Sequence, residues 1–290
     1  MASKDPTKQP IVLLKSAFGT IAANPVILFP FTIIAFVQIL ILEIIFFAPR
    51  YPLSIFFRPI IQRIQGEIFL HYPFNFTLMN KWFQSVQIPI FVLLSSLLIG
   101  VAVAIIDFIN KDKKIEMKEV FKRVLPLYIH LVVYGVIAVL CIIGLGKLYG
   151  LLIKRALIIR STTGIFFFIK KAVLILAPYF NLFFAVLVST LLAFVMPIIV
   201  LEKKNVFTAL LRNFKMISKT FWFVLVVIVL PALLYLPVLL LKSNTRLFQD
   251  ILPPEGWGFI LILGILLTLF IDAVQYTAIT SYYLLKKESQ

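Results

Sequence analysis

Three carboxylates stand within long apolar runs: Asp107 closes the run from Ile88 to Phe108, and the other two, Glu43 and Asp272, have the most chemistry open to them of all the side chains in this sequence. Glu43 lies late in the run from Val26 to Ala48, a turn and a half after Gln38, and Asp272 lies inside the run from Gly258 to Ile279, with Gln275 one helical turn further on. An ionisable group in hydrocarbon costs about 2.5–3.5 kcal/mol on insertion scales, so it is kept where it has a partner or a task. Facing an interior cavity, Glu43, Asp272 and Gln275 could carry a proton or hold a cation. Paired with a cation or reaching the membrane boundary, they would be structural.

A second group is cationic. The segment KLYGLLIKRALIIRSTTGIFFFIKK, from Lys147 to Lys171, carries six cations and no carboxylate, with Leu151, Leu152, Ile158 and Ile159 interleaved. That pattern predicts a membrane-hugging loop in which Arg155, Arg160, Lys170 and Lys171 hold anionic lipid headgroups. The same side chains could instead simply reach the headgroups from an in-plane helix.

Other chemistries lack their residues. His71 and His130 are far apart and show no metal-ligand spacing, and neither a glycine-rich phosphate loop nor a GxSxG turn occurs. Cys141 is the single cysteine, which excludes an intramolecular disulfide. The reading is of a protein that is not an enzyme and needs no cofactor or metal.

The elements that position these groups follow from composition. Hydrophobic residues make up 62% of the 290 residues, charged residues only 14%, and the mean hydropathy is +1.06. This places the chain in a bilayer. The net charge of +16 sits at the ends of apolar runs, where orientation and anionic lipid account for it better than nucleic acid does. About 20 apolar residues cross the hydrocarbon core. Six runs qualify: Val26 to Ala48, Ile88 to Phe108, Leu127 to Leu145, Ala172 to Leu201, Phe221 to Leu241 and Gly258 to Ile279.

The runs are organised as a pattern that occurs three times. A lysine-bearing amphipathic segment enters an apolar span, a loop comes next, and a second span returns to end in lysines, at IIDFINKDKK, PIIVLEKKN and SYYLLKKESQ. The expected fold is therefore all-α, one polytopic membrane domain over 1–290, with three pseudo-repeated hairpins at roughly 10–110, 111–203 and 204–290. An interfacial helix should precede each hairpin. Leu14, Phe18 and Ile21 give the apolar face of the first, and Val120, Phe121, Val124 and Leu125 that of the second, against Lys118, Lys122 and Arg123. Phe207, Leu210, Leu211, Phe214 and Ile217 give that of the third, which Asn205 is placed to cap. Prolines at positions 25, 30, 89, 178, 197, 231 and 237 should kink the spans.

An even number of spans puts both termini on one side. Of the 28 Lys and Arg, 16 fall on that side and 12 on the other, which favours cytoplasmic termini. The basic segment from Lys147 to Lys171 pulls against this orientation.

The stretch FVMPIIVLEKKNVFTALLRNFKMISKTFWFVLVVIVL, from Phe194 to Leu230, resembles the central signature of a broad group of six-helix membrane proteins. That group includes the membrane domain attached to some bacterial glycerophosphodiester phosphodiesterases and uncharacterised inner-membrane relatives. Pro197, Glu202, Ala209, Leu210, Arg212 and Trp222 fill the places of the pattern, and Asn213 stands where the group often has serine. The ending YTAITSYYLLKK, from Tyr276 to Lys287, is similar to the group's last helix. The resemblance implies a compact six-helix domain in a bacterial inner membrane. It implies no phosphodiesterase activity, because nothing here corresponds to the soluble catalytic barrel.

The expected function is that of a non-enzymatic integral membrane protein that binds or moves lipid or another amphiphile, or supports an assembly that does. A solute or ion transporter using Asp272 or Glu43 is the alternative, and it requires one of them to line a polar cavity in mid-membrane. A structural subunit is the third reading. Expected partners are anionic membrane lipids and a protein partner or second copy, without nucleic acid.

Overall fold

The computed structural model describes residues 9–72, 74–158, 164–243 and 256–288. Among them every regular element is helical. Six helical stretches are long and apolar enough to cross a membrane: Pro25–Phe47, Phe74–Asn110, Met117–Ile158, Phe180–Glu202, Val206–Lys242 and Gly256–Glu288. Each contains most of one expected run, because roughly 20 consecutive apolar residues leave the backbone no partner in hydrocarbon but itself.

The elements are α1 Pro10–Ala23, α2 Leu28–Phe47, α3 Ser54–Ile64, α4 Phe74–Pro89, α5 Ser96–Asn110, α6 Met117–Val124 and α7 Tyr128–Ile158. They continue with α8 Gly164–Leu176, α9 Phe180–Leu191, α10 Val195–Glu202, α11 Val206–Ala232, α12 Leu236–Ser243 and α13 Gly256–Glu288. Short 3-10 turns at Pro25–Ile27, Leu125–Leu127, Ala177–Tyr179 and Leu233–Tyr235 join successive helices, three of them built around a proline.

Prolines decide which leading helices separate from their spans. Pro25 sets α1 off from α2, and Pro126 sets α6 off from α7. No proline or glycine lies between Val206 and Leu230, and there the leading segment and the span form one continuous helix, α11. The leading helix expected at Phe207 to Lys219 is thus not separate but continuous with the span that follows it. Its inward face is Val206, Ala209, Asn213 and Ile217, while Phe207, Leu211 and Phe214 face outward. The expected cap does form: Asn205 Oδ1 accepts from the Thr208 N–H at 2.8 Å.

The other two leading helices also pack more deeply than an interfacial position requires. In α1, Leu13, Leu14, Ala17 and Ile21 are buried against α11 and α13, and the Phe18 ring lies 5.5 Å from that of Phe270, near the midpoint of α13. In α6, Arg123 turns inward rather than joining the solvated face. Its guanidinium lies 2.6 Å from buried Asp107, which Lys111 also approaches at 2.8 Å, and it donates to the Val200 carbonyl at 3.5 Å.

The segment from Lys147 onward is likewise not a loop. The helix α7 runs unbroken through Lys147, Lys154 and Arg155 to Ile158, and α8 packs back against it. The Tyr149 hydroxyl donates to the Val173 carbonyl, and its ring stacks on Phe180. With 31 residues, α7 is about 46 Å long, against a hydrocarbon core of about 30 Å.

The tightest packing is at the end of the bundle that carries the turns at 111–116 and 203–205. Val101 to Ile106, Phe194 to Val200 and the stretch from Ala273 to Tyr283 supply a large share of its buried side chains. Tyr282 lies between Phe194 and Phe223, with ring centroids 6.0 and 4.6 Å away. Glu202 ties three helices there: Arg212 pairs with it at 2.5 Å, the Tyr283 hydroxyl donates to it, and Lys287 lies at 3.9 Å. Among the described residues the opposite half holds small clusters, one around Leu42, Phe83 and Leu261 and one around Ala48 and Ile61.

Candidate functional site

A cavity of about 250 Å³ opens inside the bundle at the edge of this packed half. The helix α13 gives it Thr268, Asp272, Gln275 and Tyr276, residues spaced four, three and one apart and therefore on one face. Gln38, Ser95, Tyr134 and Ser189 face them from four other spans. The remainder of the wall is apolar and includes Phe31, Ile34, Phe91 and Ile142.

Two of the spans are irregular where they border the cavity. After Pro89 the second span loosens into a π-helical turn, Ile90–Ser95, which brings Phe91 and Ser95 to the wall. Side chains engage the carbonyls of this turn. Ser96 Oγ donates to the Val92 carbonyl at 2.5 Å and the Tyr128 hydroxyl to the Leu93 carbonyl at 3.2 Å. Gly135 lets α7 close on the same turn, since a Cβ there would stand 3.2 Å from Val92 Cα.

The fourth span breaks outright between α9 and α10, at Leu192 to Phe194. Buried Asn213 on α11 satisfies both sides of the break: its Nδ2 donates to the Leu191 carbonyl at 2.6 Å, and its Oδ1 accepts from the Phe194 N–H at 3.0 Å. Val188, Ser189 and Ala193 around this break line the cavity. Non-helical backbone at membrane depth is tolerated only where it is buried in protein or borders a polar cavity, and both hold here.

Asp272 is half-buried because the cavity reaches it, and among the described residues no cation pairs with it. Gln275 divides its roles: it lines the cavity, and its Nε2 donates to the Ile228 carbonyl at 2.8 Å, tying α13 to α11. Tyr276 stacks on Phe31 at 6.3 Å. A carboxylate, two amides and several hydroxyls thus converge on an otherwise apolar space. That combination can orient a ligand with a positive or hydrogen-bond-donating head and an apolar body.

Glu43 is not part of this site. It is exposed on a separate lateral groove of about 410 Å³ between α2 and the start of α13, walled by Leu42, Phe46, Met79 and Phe259. Arg155 and Lys171 are exposed on the α7 and α8 hairpin and Lys170 is half-buried there, so the structure does not bring them to the cavity. Arg160 lies outside the described residues. Sequence reasoning missed Ser95, Tyr134 and Ser189, whose polar side chains sit on apolar runs without a charge to mark them, and gave Asn213, next to Arg212, no role.

Comparison with protein-family models, curated proteins and solved structures finds no match to this chain.

Proposed function

We propose that this is a non-enzymatic integral membrane protein that binds, and carries across or along the bilayer, a small amphiphile whose cationic or hydrogen-bond-donating head is held at Asp272. The observation that carries the reading is a carboxylate without an ion-pair partner among the described residues, opening into an intramembrane cavity otherwise walled mainly by apolar side chains. Irregular backbone in two of the walls supports it, since moving spans need turns that rearrange without stranding carbonyls. The resemblance of Phe194 to Leu230 and of Tyr276 to Lys287 to the six-helix group also supports a three-hairpin domain in a bacterial inner membrane. In that setting both termini are cytoplasmic, and Arg155, Arg160, Lys170 and Lys171 hold anionic lipid outside the cavity.

Octylamine and octanol share a tail and differ in charge, so together they test the site. In protein reconstituted into nanodiscs of neutral lipid, with empty discs as blank, Asp272→Asn should weaken octylamine about tenfold, a loss of about 1.4 kcal/mol. Octanol binding should change little. Equal octylamine affinity in both proteins would remove Asp272 from the reading.

A further inference from the structure

A second chamber of about 70 Å³ adjoins the cavity, sharing Gln38, Ile265 and Thr268 with it, and contains Lys242 and Tyr235. The basis of the inference is the way Lys242 enters this chamber. It stands in the last turn of α12, where a lysine serving only the headgroups would reach outward. Instead its ammonium bonds the Tyr235 hydroxyl at 3.1 Å, two turns back along the chain, because helical side chains lean toward the N-terminus and here that direction is into the bundle.

Gly264 borders the space it occupies. A Cβ on Gly264 would stand 3.7 Å from Lys242 Nζ and 3.4 Å from the Tyr235 hydroxyl oxygen. Among the described residues no carboxylate pairs with Lys242, as no cation pairs with Asp272.

Gly264, Thr268 and Asp272 succeed one another at four-residue intervals along one face of α13. The rise of the helix separates the first from the last by about 12 Å. The Asp272 side chain leans toward Gly264, which shortens the distance between the charges. They are too far apart for a direct ion pair, yet Gln38 and Thr268 connect them through polar surface while Ile265, Phe31 and Ile34 supply apolar wall.

Two charges without an ion-pair partner among the described residues of a membrane protein are costly, and one bound molecule of complementary charge would offset both. We infer that the ligand is a zwitterion, its ammonium at Asp272 and its acid group at Lys242, joined by an apolar chain. This rests on the reading of the Asp272 cavity and adds the acid subsite and the substrate class to it.

The test uses ω-aminooctanoate, octylamine and octanoate on protein in neutral nanodiscs, by calorimetric titration against empty discs. The native protein should prefer ω-aminooctanoate to octylamine by about tenfold and bind octanoate weakest. Lys242→Gln should abolish the preference and leave octylamine within about twofold. Shorter probes need no variant: ω-aminobutanoate cannot span the two charges and should show no advantage over butylamine. The inference fails if octylamine binds the native protein as tightly as ω-aminooctanoate, if Lys242→Gln keeps the preference, or if the butyl pair shows it equally. Those failures leave the cavity reading standing, whereas octylamine binding that survives Asp272→Asn removes the cavity reading itself.

Discussion

Asn213 sits on the inward face of α11 with no charge to pair, and both ends of its amide are used at one place, the break between Leu191 and Phe194. Removing the amide would strand a carbonyl and an N–H inside the membrane. A buried polar group left without a partner costs about 1–3 kcal/mol, so Asn213→Ala should destabilise the protein by about 2–5 kcal/mol. Asn213→Ser, which can meet one group but not both, should fall between. Thermal unfolding in mild detergent checks the order, and an alanine variant as stable as the native protein would deny the amide this role. The sequence made the polar side chain visible and its partner invisible. The break reads LLAFV, and its one mark in the sequence is Pro197, which withholds the N–H that would bond the Ala193 carbonyl.

The second span shows how an element is bent by its neighbours. Pro89 withholds a backbone donor just before the π-helical turn, and Gly135 allows α7 to press against that turn. A valine at position 135 would drive atoms into the Val92 backbone, and overpacking of this kind costs about 1–3 kcal/mol. Gly135→Val should therefore lower the unfolding temperature and also weaken octylamine, because Ser95 and Phe91 would leave the wall together. Gly135→Ala should do both less, and a variant that loses stability while binding unchanged would separate the turn from the site. Legibility at this scale tracked the prolines. Most of each expected span falls within an observed helical stretch, although the fourth was expected from Ala172 and is observed from Phe180, and amphipathic periodicity alone misplaced the face of α11. Its period fits both an interfacial helix and the inner half of a span, and only the absence of a breaking residue before Pro231 separates them. For the cationic segment, basic residues were read as the edge of a span, while Tyr149 bonding the Val173 carbonyl holds α7 and α8 together well past it.

Along the axis of the whole molecule the packing is unequal. One end is dense and cross-tied by Glu202 and Asp107, while among the described residues the other holds small clusters and the lateral groove beside Glu43. Composition could reveal six spans but not this gradient, because an apolar residue reads the same whether it meets lipid or another helix. On that packing the bundle should act as a clamp, held at its dense base and yielding at its sparser jaws, with Asp272 at the change between them. Hydrophobic mismatch acts on whichever part yields, at fractions of a kcal/mol per Å. Octylamine affinity should accordingly shift several-fold between nanodiscs of short-chain and long-chain phosphatidylcholine, and a flat response would show that the jaws do not yield. Bilayer thickness then becomes an input to the site, and the same chain would hold its ligand differently in a thin membrane and in a thick one.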